Sequence, residues 1–180
     1  MSAILPPPQR VWWKEPLDRV ELFWIVIAFV WCLIMFFMMP YWHLYGEQNL
    51  ANEAYRTRPE DFVKKADAVI AKYKVREEGP LNTPVVRPPA GADIYLVARL
   101  WSWSPILELE AGKSYRIHLM SLDWLHGFSL QPENINIQVH PGYDHVLTVT
   151  PTAPGTYSII CNEYCGVNHH TMASRLYVVK

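Results

Sequence analysis

Leu22 to Met39 is the stretch that most limits what this chain can fold into. Its eighteen residues, LFWIVIAFVWCLIMFFMM, hold no charge, no glycine and no proline. As a helix they span about 27 Å, close to the thickness of a bilayer's hydrocarbon core. A cleaved signal peptide would have a shorter apolar region followed by small residues. Here Met38, Met39, Pro40, Tyr41 and Trp42 follow instead. Trp12-Trp13 and Tyr41-Trp42 suit interface anchors at the two ends. A single uncleaved transmembrane helix over residues 17–40, ended by Pro40, is therefore expected. Arg10, Lys14 and Arg19 precede it, and no Lys or Arg lies between Pro40 and Tyr55. That asymmetry places the N-terminus in the cytoplasm and the C-terminal part outside. Cys32, inside the run, reads as a small apolar residue.

The remainder reads as a cytoplasmic arm (1–16), a connector (41–91) and a compact domain (92–180). Within the connector, Phe62, Val63, Ala66, Val69, Ile70 and Tyr73 recur at spacings of three and four. That is an amphipathic helix, with Pro59 suited to its first position. Pro80, Pro84, Pro88 and Pro89 between Gly79 and Gly91 predict an extended linker. From residue 92, short alternating segments separated by Ala111-Gly112, Pro141-Gly142 and Pro154-Gly155 predict an all-β sandwich or barrel. The predicted strands are 94–101, 106–110, 114–120, 128–130, 135–139, 146–150, 157–160 and 176–179. A formal net charge of -1 shows no nucleic-acid footprint, and no nucleic-acid partner is expected.

Chemistry concentrates in Cys161-Asn-Glu-Tyr-Cys165-Gly-Val-Asn-His169-His-Thr-Met172. Thiolate, imidazole and thioether together form a soft donor set that favours copper over magnesium or calcium. One Cys with His and Met would suit a mononuclear blue-copper site; a second Cys allows two thiolates to bridge two metals. A structural zinc site and a Cys161–Cys165 disulfide are the alternatives. Methionine is a poor zinc ligand, and a disulfide leaves His126, His169 and Met172 without a role.

This loop resembles that of the binuclear copper (CuA) centre of haem-copper oxidase subunit II, whose pattern C-x-E/Q-x-C-G-x-x-H-x-x-M it fills at every position. The family takes a further histidine from a D-V-L/I-H context, and Asp123-Trp-Leu-His126 is the match, with Trp124 in place of the usual valine. Asn134-Ile-Asn-Ile-Gln-Val-His-Pro-Gly is similar to the short B-family (ba-type) subunits. The resemblance implies a cupredoxin-like Greek-key β-sandwich behind one N-terminal transmembrane helix. It implies copper ligation by His126, Cys161, Cys165, His169, Met172 and the Glu163 carbonyl; the Glu163 carboxylate keeps open a contact to magnesium. It also implies Trp101 and Trp103, a W-x-W element, as candidates for taking up electrons. Two strand aromatics sharing one face are the plainer reading of that pair. Tyr164 reads as packing, and His43, His118, His140, His145 and His170 as non-ligands.

By the same resemblance the chain is the electron-accepting subunit of a terminal oxidase in a prokaryotic plasma membrane. Its partners are a haem-copper subunit I, which holds the haems and reduces dioxygen, and a cytochrome c or small copper-protein donor. A CuA subunit of a nitric oxide reductase would look almost the same. A membrane-tethered copper-delivery module is a third reading. Seven acidic and five basic side chains from Asp93 onward imply docking of the donor by apolar contact rather than by charge.

Overall fold

The computed structural model describes residues 16–46 and 53–180, which fall into two compact units. The arm expected over 1–16, with Trp12 and Trp13, and part of the connector lie outside the described residues.

The first unit is a helix, α1 (Arg19–Tyr45). Its start is set by a capping box: Asp18 accepts from the Val20 and Glu21 N–H groups, and the Glu21 carboxylate accepts from the Asp18 N–H. At 27 residues it runs about 40 Å, and among the described residues it is the one helix long and apolar enough to cross a membrane. Its apolar side chains point to every side and none is buried within the unit. That suits a hydrocarbon solvent rather than a one-sided protein core. Pro40 does not end it, contrary to expectation. The ring removes one N–H only, and turns beyond it still close, as in the bond from Gly46 N–H to the Trp42 carbonyl (2.9 Å).

The second unit holds two facing β-sheets and one helix. Its elements are β1 (Glu53–Arg56), α2 (Pro59–Tyr73), β2 (Lys74–Glu78), β3 (Thr83–Val86), β4 (Asp93–Arg99), β5 (Ser102–Ser104) and β6 (Ile106–Glu110). They continue as β7 (Tyr115–Ser121), β8 (His126–Gln131), β9 (Ile135–Val139), β10 (Tyr143–Val149), β11 (Gly155–Ile160) and β12 (Ala173–Val179). One sheet runs β1-β10-β7-β4-β5 and the other β2-β3-β6-β12-β11-β8-β9. Pairings are antiparallel except β4–β7, β3–β6 and β6–β12. This is the cupredoxin-like sandwich that was expected.

Strand alternation builds the core. In β7, Tyr115, Ile117 and Leu119 face the opposite sheet, where Phe128, Leu130, Leu107, Leu176 and Ile159 meet them. Burial of each such side chain contributes about 2 kcal/mol. Met120 faces outward, joining Tyr95 and Val97 beneath Phe62 and Ala66 of α2. The predicted amphipathic helix is thus present, and it lies on the first sheet.

The predicted linker over 79–91 is not one, and the compact domain does not begin at residue 92. β2 and β3 extend the second sheet, Val85 and Val86 are fully buried, and β3 is hydrogen-bonded on both sides. Pro84 sits near the strand's start, where its missing N–H costs one bond rather than the ladder. The prolines mark the strand's ends. β1 and β5 were also not expected. β8 begins at His126, two residues ahead of the predicted strand.

A charged cluster locks the added edge. Glu108 on β6 is 3% exposed and accepts from Arg76 Nη1 of β2 (2.6 Å) and from Arg87 just beyond β3. Burial alone would raise the Glu108 carboxyl; the two guanidiniums outweigh it and hold it below its ordinary value of 4.5. A depressed folded value stabilises above the unfolded pKa, and that stabilisation is lost as pH falls through the folded value. Glu108→Ala should therefore lower stability by about 1–3 kcal/mol at neutral pH. Melting curves from neutral pH downward should show the difference from the parent chain shrinking below about pH 4.

Candidate metal centre

Three neighbouring strands deliver the cluster to one end of the sandwich. β11 lies between β12 and β8. Cys161 follows directly on β11, Met172 directly precedes β12, and His126 opens β8. The Cys161 N–H donates to the Met172 carbonyl (3.0 Å), adding one rung to the β11–β12 ladder and closing the base of the loop. Gly166, at φ 112°, takes a backbone conformation that other residues rarely adopt and turns the chain back. From there the loop holds itself by short turns: His169 N–H to the Gly166 carbonyl (3.0 Å), Thr171 N–H to Asn168 (2.9 Å) and Met172 N–H to His169 (3.1 Å).

The Cys161 and Cys165 sulfurs face each other 3.7 Å apart. His126 Nδ1 lies 3.9 Å from the Cys161 sulfur and His169 Nδ1 3.6 Å from the Cys165 sulfur. Met172 Sδ is 3.7 Å from the Cys165 sulfur, and the Glu163 carbonyl 3.2 Å from the Cys161 sulfur. Every ligand named from the sequence therefore converges. The donor atoms of His126, Cys161 and Cys165 all lie within 4.8 Å of one another. His126, Cys161, Cys165 and Met172 are buried, His169 is half-buried and His170 is exposed.

The arrangement fits a soft metal. Both cysteines are free, so no disulfide claims the sulfurs. Burial pushes the Cys165 thiol up to about 11, with the neighbouring Cys161 adding to it, so a thiolate here calls for a cation beside it. The thioether aimed at the same point suits copper better than zinc.

Asp123 orients the buried imidazole. Its Oδ1 accepts from His126 Nε2 (2.8 Å), which turns Nδ1 to the sulfurs. Its Oδ2 accepts from the Leu100 N–H (2.7 Å), tying His126 to the turn that carries Trp101. Burial acts to raise the Asp123 carboxyl, but the bonds from His126, Leu100 and Trp124 prevail and hold it low. A carboxylate three residues before a candidate ligand was visible in the sequence, yet nothing there assigned it this contact.

The two tryptophans part company. Trp103 is 2% exposed and packs edge-on to His126 (6.2 Å) and Phe128 (5.5 Å), so an incoming protein cannot touch it. Trp101 is half-buried in the β4–β5 turn, and its Nε1 donates to the Cys165 carbonyl (3.3 Å). Tyr164 is not packing: it is 79% exposed, and Val167 on the same loop (82%) and Trp124 between β7 and β8 (61%) are exposed as well.

Removing the Asp123 carboxylate tests its role. Asp123→Ala should weaken metal affinity about 10- to 100-fold. Competition against a copper chelator reads this directly, and the conservative Asp123→Asn should recover part of the loss.

A family model described as the periplasmic domain of cytochrome c oxidase subunit II matches residues 100–179. Two cytochrome c oxidase subunits 2 of Thermus thermophilus are each 35% identical over 109 residues, or 58% of this chain; the match covers 81% of one and 65% of the other. A chain from a haem-copper terminal oxidase dimer, solved by cryo-electron microscopy, superposes with a TM-score of 0.58 at 21% identity. That match spans 89% of this chain and all of the other. With the predicted ligands gathered at one end of the expected sandwich, the chain belongs to the cytochrome c oxidase subunit II family.

Proposed function

We propose that this cluster holds a binuclear copper (CuA) centre and that the chain is the electron-accepting subunit of a haem-copper terminal oxidase. One observation carries the reading: two buried sulfurs face each other, each with its own imidazole, and a thioether and a carbonyl flank them. Bound copper would supply a one-electron change of oxidation state with no bond made or broken at the site. Cys161, Cys165, His126 and His169 would hold the two metals. Met172 and the Glu163 carbonyl would be weak ligands.

The protein's task is to keep these donors in place in both oxidation states. Anchoring on three adjacent strands, with Asp123 fixing His126, supports this. Trp101 is the favoured point of electron uptake, because its indole reaches the solvent side of the loop while bonded to Cys165. Tyr164 and Val167 on the loop and Trp124 near His126 in sequence are exposed apolar side chains to which a cytochrome c or small copper protein docks with little help from charge. Electrons then pass to the haem of subunit I, where dioxygen is reduced. The charge asymmetry around α1 supports an N-terminus in the cytoplasm and a β-domain on the outer side of a prokaryotic plasma membrane.

Metal analysis of the full chain should give two coppers per molecule and the spectrum of a mixed-valence pair. Cys161→Ser and Cys165→Ser should each abolish it. A single copper, or zinc in preference to copper, would overturn the assignment. Trp101→Ala should keep both coppers but slow reduction by cytochrome c at least about tenfold, equal to about 1.4 kcal/mol of barrier. The rate should change little with salt, since a steep fall would mark charge steering. Dioxygen uptake by the intact complex, without nitric oxide turnover, checks the terminal acceptor.

A further inference from the structure

The loop holds itself only from Gly166 onward. Its first half, Asn162 and Glu163, is held by a different part of the fold. The chain leaves β11 and crosses over β8 toward β9, the last strand of the sheet. The Asn162 N–H donates to the Gly127 carbonyl of β8 (3.3 Å). Asn162 Nδ2 donates to Asn136 Oδ1 (2.9 Å), and Gln138 Nε2 donates to Glu163 Oε1 (2.9 Å).

The register makes this contact possible. Gln138 pairs with Gly127 and Asn136 with Ser129, so the two β9 side chains, two residues apart, share the outward face. Both are exposed. Gly127 forms the floor beneath the crossing. A Cβ there would come within 2.0 Å of Asn162 Oδ1 and 2.8 Å of the Glu163 backbone nitrogen. The glycine thus lets the loop lie flat on the sheet, and the two β9 amides hold it there.

We propose that Asn136 and Gln138 are positioning residues of the copper centre: by pinning Asn162 and Glu163 they fix the Glu163 carbonyl beside the Cys161 sulfur and so tune the metal's reduction potential. The inference rests on the copper reading given above. Exposed hydrogen bonds of this kind add little to folding stability. Their effect therefore falls on the geometry of the one ligand whose segment has no turn of its own. An oxygen donor stabilises the more highly charged, oxidised state. Loosening it raises the potential.

The test uses the full chain loaded with copper, and the variants Asn136→Ala, Gln138→Ala and Gln138→Lys. Melting temperature and copper per chain should match the parent. In both alanine variants the potential should rise, with the ratio of oxidised to reduced centre at a fixed poise falling about three- to tenfold, the scale of one net hydrogen bond. Gln138→Lys should restore it, because the ammonium can donate to Glu163. In a Glu163→Ala background, Gln138→Ala should add nothing. An unchanged potential and electron paramagnetic resonance spectrum in copper-replete alanine variants would overturn the inference and leave the copper reading standing. Loss of copper and of melting temperature together would make the contact merely structural and overturn it as well. A parent chain that binds no copper pair would remove both.

Discussion

Two buried sulfurs can be held 3.7 Å apart only if both ends of the loop that carries them are already fixed. The β11–β12 ladder does this. The two strands are neighbours in register, Ile160 beside Ala173, and the bond from Cys161 N–H to the Met172 carbonyl continues the pairing into the loop. One ligand from each end of the loop thus sits at a position that the sheet determines. β8, on the other side of β11, brings His126 to the same end. The candidate donors therefore inherit the rigidity of a seven-stranded sheet.

Most polar groups buried among the described residues of the second unit are answered, with Trp103 Nε1 and His118 Nε2 as exceptions. Glu108 lies under two guanidiniums and ties the β2–β3 edge to β6. His118 meets both oxygens of Asp144 (2.9 and 3.0 Å) and stacks on Tyr95 beside α2. Asp123 answers His126. The first two join different strands, so they contribute register and orientation more than net stability. The sulfurs differ. Among the described residues they face one another and a third buried donor, and burial holds the Cys165 proton tightly. Two buried sulfurs beside imidazole and thioether donors form a set whose chemistry suits a soft metal, which is the physical content of the proposed copper site.

Much of this was legible in residue order alone. The apolar run implies a membrane-length helix because backbone in hydrocarbon has to satisfy its own hydrogen bonds. Spacing of Cys161, Cys165, His169 and Met172 implies one metal loop because all four lie within a single connection. Alternation in 135–139 implies a strand because its successive side chains point to opposite faces, one buried and one wet. Two of the errors share a cause. Pro40 and the prolines of 79–91 were read as breaks, although a proline removes one bond and its neighbours decide whether the element survives.

What the sequence by itself determined is the set of donors, the kind of metal they suit and the presence of a membrane-length helix, since these follow from local composition and spacing. Tertiary structure alone decided which side chains serve the donors. Asp123 could be a surface acid until the fold sets it 2.8 Å from His126. Trp101 and Trp103 are equivalent in sequence, and only the β4–β5 turn leaves one half-exposed and buries the other. Gly127 carries no motif, and Asn136 and Gln138 lie in a family-like stretch that gave neither a role. Their contact with the loop exists because β8 and β9 pair in one register, and registers are set by long-range packing that no short stretch of sequence encodes.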